Sequence, residues 1–188
     1  MKQIESIWLP EVQQQVFRAL MEVMSRPGKV ETLTSLSEQA SPTRAVLATV
    51  LDAEVSFCDH DNLIDSVDWP LFQAKKKSVE HANYILCRGD KSPNFEPMLG
   101  TLASPEQSAT IIIQVANVLE GECQMSLSGP GVNGNQRVRT SGLLSDWLIK
   151  RDHWNSAFPL GVDFILADKQ QVLALPRTTK IQVTSWDM

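Results

Sequence analysis

Residues 109–118, ATIIIQVANV, form a nearly continuous apolar run that is rich in β-branched side chains. A run of this kind is typical of a strand that is covered on both faces of its sheet. Helical patterns occur before and after it, and helices interspersed with buried strands favour an α/β fold. We therefore predict a three-layer α/β sandwich built around a mixed sheet.

The helical patterns have identifiable starts. Pro10 suits the first turn of a helix, and Ser41 followed by Pro42 resembles a capped helix start. Ser141 is expected to cap another helix, which has Leu143, Leu144, Trp147 and Leu148 on one face and basic residues at its end. The predicted helical segments are 10–24, 41–53, 62–80 and the segment after Ser141. The third of these places Lys75, Lys76 and Lys77 on a polar helical face.

Short apolar segments predict the remaining strands. Residues 123–127 alternate between apolar and polar side chains, which indicates a hairpin or sheet partner for the 109–118 strand. Residues 89–108 contain three prolines and are predicted to be a loop, with one capped helical turn at 104–107. The other predicted strands are 55–58, 82–87, 162–167, 172–175 and 181–183.

Composition narrows the class of protein. A chain of 188 residues with 43% apolar residues, no repeats and no visible linker is predicted to form a single domain. A net charge of −5 argues against a nucleic-acid partner. No segment has the pattern of a signal peptide or membrane span, and the three cysteines form no C-x-x-C pair. These features predict a cytoplasmic protein with reduced thiols.

The segment LSGPGVNGN, residues 127–135, contains a G-x-G-x-x-G pattern. A dinucleotide-binding loop needs a helix that opens within this pattern, but the residues after Gly134 are polar and strand-like. Pro130 also removes one N–H group that would face a phosphate. We interpret the pattern as a turn between strands. A looser anion-binding nest formed by Gly129, Pro130 and Gly131, with Arg137 and Arg139 just beyond it, stays open as an alternative.

The other candidate groups give no catalytic constellation. Residues 58–61, Cys-Asp-His-Asp, hold four potential ligands in one run, but a closed zinc site needs ligands from separated positions. A strand end followed by an acidic helix cap explains this run more simply. His81 and His153 have no partner visible in the sequence, and neither a phosphate-binding P-loop nor a G-x-S-x-G motif is present. We predict no metal site.

The last third of the chain contains a second candidate. Asp163 begins an otherwise apolar strand, and Arg177, Thr178 and Thr179 follow Pro176 at the end of another. A buried carboxylate there needs a partner, and Arg177 or nearby backbone N–H groups are the obvious choices. Two explanations stay open, and one of them is a structural ion pair between Asp163 and Arg177. The other, which we hypothesise, is a functional surface on which Arg177 and the two threonines bind a phosphate-bearing ligand or a carboxylate of a partner subunit.

Four separated blocks resemble one protein family. MSRPGKV (24–30), LSGPGV (127–132), FPLGVD (158–163) and ALPRTTKIQV (174–183) resemble the PhnH family, the H subunit of the bacterial carbon–phosphorus lyase core complex. The order and spacing of the blocks fit that family over most of the chain.

The resemblance implies a fold similar to the large domain of pyridoxal-phosphate-dependent transferases, without the cofactor. It further implies a homodimer that joins the G, I and J subunits of the complex. That complex transfers a phosphonate to the ribose C1 of ATP and releases adenine. The family supplies no catalytic residue for this subunit. The alternative is a stand-alone phosphate- or nucleotide-binding enzyme that uses residues 129–139.

Overall fold

The computed structural model describes residues 6–33 and 40–186 and contains two sheets. The strands are short, and the apolar run at 109–118 supplies only five residues to its strand. The strands are β1 (Val30–Thr32), β2 (Ser56–Asp59), β3 (Lys75–Lys76), β4 (Tyr84–Arg88), β5 (Thr110–Gln114), β6 (Cys123–Ser128), β7 (Gln136–Thr140), β8 (Asp163–Ala167), β9 (Gln171–Leu175) and β10 (Lys180–Trp186).

The large sheet is mixed, as the sequence predicts. Its seven strands lie in the order β1-β9-β8-β5-β4-β2-β3, and the pairs from β8 through β3 are parallel. A tight turn reverses the chain between β8 and β9, where the Asp168 carboxylate accepts hydrogen bonds from the N–H groups of Gln170 and Gln171. Strand β1 adds to β9 in antiparallel orientation. The carboxyl ends of the parallel strands β2, β4 and β5 therefore lie side by side at one end of the sheet.

Three of the four described α-helices cover one face of this sheet. The four α-helices are α1 (Pro10–Ser25), α2 (Pro42–Val50), α3 (Trp69–Phe72) and α4 (Ser145–Trp154). The apolar stripe of α1, with Val16, Leu20 and Val23, packs with α2 against the side chains that β4, β5, β8 and β9 point to this side. The Ser41 hydroxyl accepts a hydrogen bond from the Arg44 N–H at 3.3 Å, so the predicted cap of α2 is confirmed.

A second sheet and α4 cover the opposite face. The order of this sheet is β10-β6-β7, with both pairs antiparallel. Cys123, Met125 and Leu127 of β6 join one apolar core with Trp147 and Trp154 of α4. The fold is therefore an α/β sandwich with a mixed central sheet, and one of its outer layers consists mainly of β-strands.

The predicted helical segment at 62–80 is wrong for most of its length. Asn62 and Gln73 adopt positive φ angles of 55° and 58°, which an α-helix does not accommodate. They limit α3 to four residues. Lys75 and Lys76 then form the edge strand β3, so the predicted helical face of lysines does not exist. Lys76 lies over the Trp69 ring, with 5.0 Å between its Nζ and the ring centroid.

Two other predictions require correction. Residues 123–127 do form a strand, but it pairs with β7 and β10 and not with the 109–118 strand. Ser141 does not cap α4, because its N–H and C=O groups bond to the backbone of Asn117 and Ala116. The helix consequently begins at Ser145, and Leu144 stays partly exposed at its start. Within the described ranges, none of the helices has the length and apolar character needed to cross a bilayer.

Candidate functional site

The glycine-rich segment is the turn between β6 and β7. It is followed by strand Gln136–Thr140, as predicted, and not by a helix. Gly129 and Gly131 have φ angles of 118° and 78°. A Cβ atom at Gly129 would lie 2.9 Å from the Thr178 carbonyl oxygen, and one at Gly131 would lie 2.1 Å from the Ser25 carbonyl oxygen. The glycines therefore allow two backbone segments to pack closely, which accounts for them without a phosphate.

The structure brings the two predicted site regions together. Gly129 contacts the same turn that carries Arg177 and Thr178. Arg177 in turn reaches the segment before β8, where its Nη1 donates to the Pro159 carbonyl oxygen at 3.3 Å. Together with the contact of Gly131 to the end of α1, these contacts join all four sequence blocks that carry the family resemblance. The blocks form one structural corner.

Asp163 and Arg177 form an internal ion pair. The Arg177 N–H donates to Asp163 Oδ1 at 2.7 Å, and Arg177 Nη2 lies 2.6 Å from Oδ2. Arg177 Nη1 also donates to the Pro105 carbonyl oxygen at 3.1 Å, and Nη2 donates to the Ser108 hydroxyl. Both side chains are 15% exposed. Of the two explanations left open, the structure contains the ion pair, and the guanidinium has few donors left for a partner.

The neighbouring threonines differ in exposure. Thr178 is exposed, whereas Thr179 is buried and its hydroxyl makes no hydrogen bond to the described residues. The turn that contains them is held by buried Arg151 of α4. Its Nη2 donates to the carbonyl oxygens of Pro176 at 2.5 Å and Thr179 at 3.1 Å. The sequence predicts Arg151 only as a basic residue at a helix end. Its burial lowers the guanidinium pKa to about 10.

Arg137 lies in a different environment. It is exposed on β7, as is Arg139 two residues later. Both line a cavity of about 310 Å³ that is also bordered by Gln124 of β6 and Thr184 of β10. Gly129, Pro130 and Gly131 do not line this cavity. The predicted nest of glycines and Arg137 is therefore divided between the close-packed corner and a separate cavity.

A crevice at the carboxyl ends of the parallel strands was not predicted from the sequence. Residues that follow β2 and β4 line one cavity of about 220 Å³ there, and the ends of β4 and β5 line a second of about 360 Å³. Ligands of open α/β sheets bind at this edge. The signal in the sequence was polar residues directly after buried strands, namely His60, Asp61, Arg88, Asp90 and Lys91.

The charged groups of this crevice are paired with one another. The Asp61 carboxylate accepts hydrogen bonds from Lys91 Nζ and from the Arg88 N–H, both at 2.8 Å. Burial opposes ionisation of Asp61, but these two donors outweigh it and hold its pKa below the usual value. Arg88 and Asp90 form a second pair. Asp59 ends β2 and accepts hydrogen bonds from the N–H groups of Leu63 and Ile64, so residues 58–61 are a strand end with a capping carboxylate. The cap holds a turn and not the predicted helix, because the next α-helix begins only at Trp69.

The profile "Bacterial phosphonate metabolism protein (PhnH)" matches residues 7–182, which places the chain among proteins of bacterial phosphonate metabolism. The chain belongs to the PhnH family.

Two relatives extend along nearly the whole chain. One is the "Putative C-P lyase subunit protein HtxG" of Stutzerimonas stutzeri, which is 37% identical over 177 residues, or 94% of this chain and 89% of the relative. The other is the "Alpha-D-ribose 1-methylphosphonate 5-triphosphate synthase subunit PhnH" of Rhizobium meliloti (strain 1021). It is 28% identical over 186 residues, or 90% of each chain.

Proposed function

We propose that this chain is a subunit of a carbon–phosphorus lyase core complex and supports the use of alkylphosphonates. The reaction we assign to the complex transfers a phosphonate to the ribose C1 of ATP, with release of adenine and formation of a ribose 1-phosphonate 5-triphosphate. The observation that carries the proposal is the family match over residues 7–182, together with two relatives whose names describe subunits of this kind of complex.

The chemistry of the described side chains is consistent with a subunit that does not act alone. The charged side chains of the crevice and of the Arg177 turn form ion pairs within the protein, as in Asp61 with Lys91 and Asp163 with Arg177. Arg44 and Asp68 form another such pair, with two hydrogen bonds of 2.8 Å. Pairing of this kind stabilises positions but leaves little capacity for proton transfer. We therefore assign the subunit a role in assembly, or at most in completing a site with other subunits.

The partners we propose are a second copy of this chain and the G, I and J subunits, in the cytoplasm. Several exposed apolar side chains supply contact surface for such partners. Phe17 and Met21, four residues apart on α1, are 52% and 53% exposed, and Phe158 and Ile149 are each 67% exposed. Aromatic residues and methionine are enriched in protein interfaces.

Co-purification tests the assembly. The tagged chain is expressed with its G, I and J partners, and the complex is isolated under native conditions. We expect all partners to be retained in fixed ratio. We also expect formation of ribose 1-phosphonate 5-triphosphate from ATP and methylphosphonate to fall when this chain is omitted. Retention of none of the partners, or full synthesis without the chain, contradicts the proposal.

A stand-alone phosphate- or nucleotide-binding enzyme using residues 129–139 is the second candidate. The cavity that Arg137 and Arg139 line is the observation that favours it. The two candidates differ in what the isolated chain does. Hydrolysis or transfer of phosphate from ATP by the chain alone, lost in an Arg137→Ala variant, supports the second candidate over the first.

A further inference from the structure

The solvent-facing side of the three-stranded sheet is basic. Cys123, Met125 and Leu127 of β6 point into the core, so the alternate residues of that strand point outward. Residues directly opposite each other in an antiparallel pair lie on the same face. The register sets Arg139 opposite Gln124, Arg137 opposite Ser126 and Lys180 opposite Ser128. All three cations therefore belong to the outer face.

Carboxylates are absent from these strands. Residues 123–128, 136–140 and 180–184 read CQMSLS, QRVRT and KIQVT, without Asp or Glu, in a chain whose net charge is −5. In the part of the chain that the structure describes, Arg137, Arg139 and Lys180 take part in none of the ion pairs. Most other arginines of the described chain are paired. The outer face is thus a local concentration of uncompensated positive charge beside hydroxyl and amide side chains.

This face borders a cavity of suitable size for a small anion. The cavity of about 310 Å³ is lined by Arg137 and Arg139 of β7, Gln124 of β6 and Thr184 of β10, and also by apolar residues that include Val118, Leu119 and Val138. That volume is near the lower limit of ligand pockets, roughly 300–1,000 Å³. It suits a phosphorylated group better than a whole nucleotide. Residues two apart on a strand are separated by about 6.6–6.8 Å, so the two guanidinium groups can grip neighbouring phosphoryl groups.

We propose that Arg137 and Arg139 bind the oligophosphate portion of a small ligand in this cavity, with Lys180 adding to the positive potential. The planar guanidinium fork suits bidentate recognition of phosphoryl oxygens. The anion site rests on the charge and shape of the face. The choice of a triphosphate as its ligand rests on the proposed function, in which a 5-triphosphate is carried through the reaction.

Calorimetric titration of the full chain with inorganic triphosphate tests this site. We expect saturable binding that weakens as the salt concentration rises. The double variant Arg137→Ala/Arg139→Ala should lose at least tenfold in affinity. Lysine at both positions should give an intermediate loss, because the charge remains and the fork is lost. Arg18→Ala, which removes an exposed arginine of α1, is the matched control and should bind as the unaltered chain does.

Each outcome is decisive for this site. Absence of triphosphate binding by the unaltered chain, or equal binding by the double variant and the control, overturns the proposal. If triphosphate does not bind but the double variant fails to co-purify with the G, I and J partners, the face docks an acidic protein surface and the proposal is also overturned. The titration uses the chain without partner subunits, so its result does not depend on the co-purification that tests the proposed function.

Discussion

Arg177 uses its backbone N–H and all three guanidinium nitrogens within the protein. Its acceptors include the Asp163 carboxylate and the carbonyl oxygens of Pro105 and Pro159. Three segments of the chain, 105–108, 159–163 and the turn that carries Arg177, meet through this one side chain. Loss of one partner leaves the other charge without compensation in a largely buried position, which is the costly way to disrupt an ion pair.

We expect Arg177→Ala to destabilise the fold by about 3–5 kcal/mol. For a chain of this size, that corresponds to a fall in Tm of roughly 6–20 °C. Thermal unfolding of the variant, compared with Arg18→Ala, measures the effect. Melting close to that of the unaltered chain, combined with loss of complex assembly, would instead mean that Arg177 acts on a partner.

The pair of Asp61 and Lys91 gives a pH-dependent prediction. Hydrogen bonds outweigh burial and lower the pKa of Asp61 in the folded state. Its contribution to stability is therefore present above the unfolded-state pKa and is lost as the pH falls through the folded-state pKa. Because Lys91 is 56% exposed, the pair should be worth only about 0.2–1 kcal/mol.

Lys91→Met is the variant that tests this pair. The unaltered chain should be slightly more stable than the variant at pH 7 in urea unfolding, and the difference should shrink at pH values where Asp61 is protonated. A difference that is constant from pH 7 to pH 3 contradicts the assigned ionic contribution.

At the scale of elements, the β6–β7 turn contains two glycines that are needed for different reasons. Gly131 and Gly134 have similar φ angles of 78° and 69°, but only Gly131 has backbone atoms within 4 Å of the position of a Cβ atom. Backbone strain alone costs about 1–2 kcal/mol for a non-glycine residue in this region. Contact with the Ser25 carbonyl oxygen adds to that cost at Gly131.

We therefore expect Gly131→Ala to be clearly more destabilising than Gly134→Ala. Gly134→Ala should cost about 1–2 kcal/mol, which is the strain term alone. Urea unfolding of both variants measures the difference. Equal losses of stability would show that the close packing of the turn against α1 is unimportant.

The elements that the sequence predicts best have strong local signals. The Pro10 start of α1 and the Ser41-Pro42 start of α2 depend on neighbouring residues, and both predictions are confirmed. The residues 62–80 were misassigned because left-handed conformations at Asn62 and Gln73 leave no clear pattern in the sequence. Pairing of β6 with β10, and the crevice at the carboxyl ends of the strands, depend on contacts between distant segments. The ion pair of Asp163 and Arg177 is one of the two explanations that the sequence leaves open, because a carboxylate at the start of an apolar strand needs a partner.

At the scale of the whole molecule, the proposed homodimer follows from exposed apolar surface and the family resemblance. Phe17 and Met21 on α1 are the most closely spaced large apolar side chains left half exposed in a described helix. We expect light scattering at micromolar concentration to give twice the chain mass of 20.9 kDa. The monomer mass at that concentration contradicts the prediction.

The lysines give a prediction about cofactors. A pyridoxal phosphate enzyme needs a lysine beside a phosphate site. Lys75 and Lys76 lie exposed on an edge strand. Lys180 is exposed at the start of β10 and is not among the residues that line the cavity of Arg137 and Arg139. We expect the isolated chain to bind neither pyridoxal phosphate nor NAD. A stoichiometric absorbance band after incubation with pyridoxal phosphate, or micromolar NAD binding by calorimetry, contradicts this.

The pairing of β1 with β9 has a consequence for synthesis on the ribosome. Val30–Thr32 has its partner at Gln171–Leu173, roughly 140 residues later, and α1 packs on both strands. At about 5–20 residues per second, translation of that interval takes roughly 7–30 s. During this time α1 is already made but lacks its neighbours in the sheet, and its apolar stripe is accessible to chaperones. The nascent chain therefore completes this layer only after β9 has left the exit tunnel.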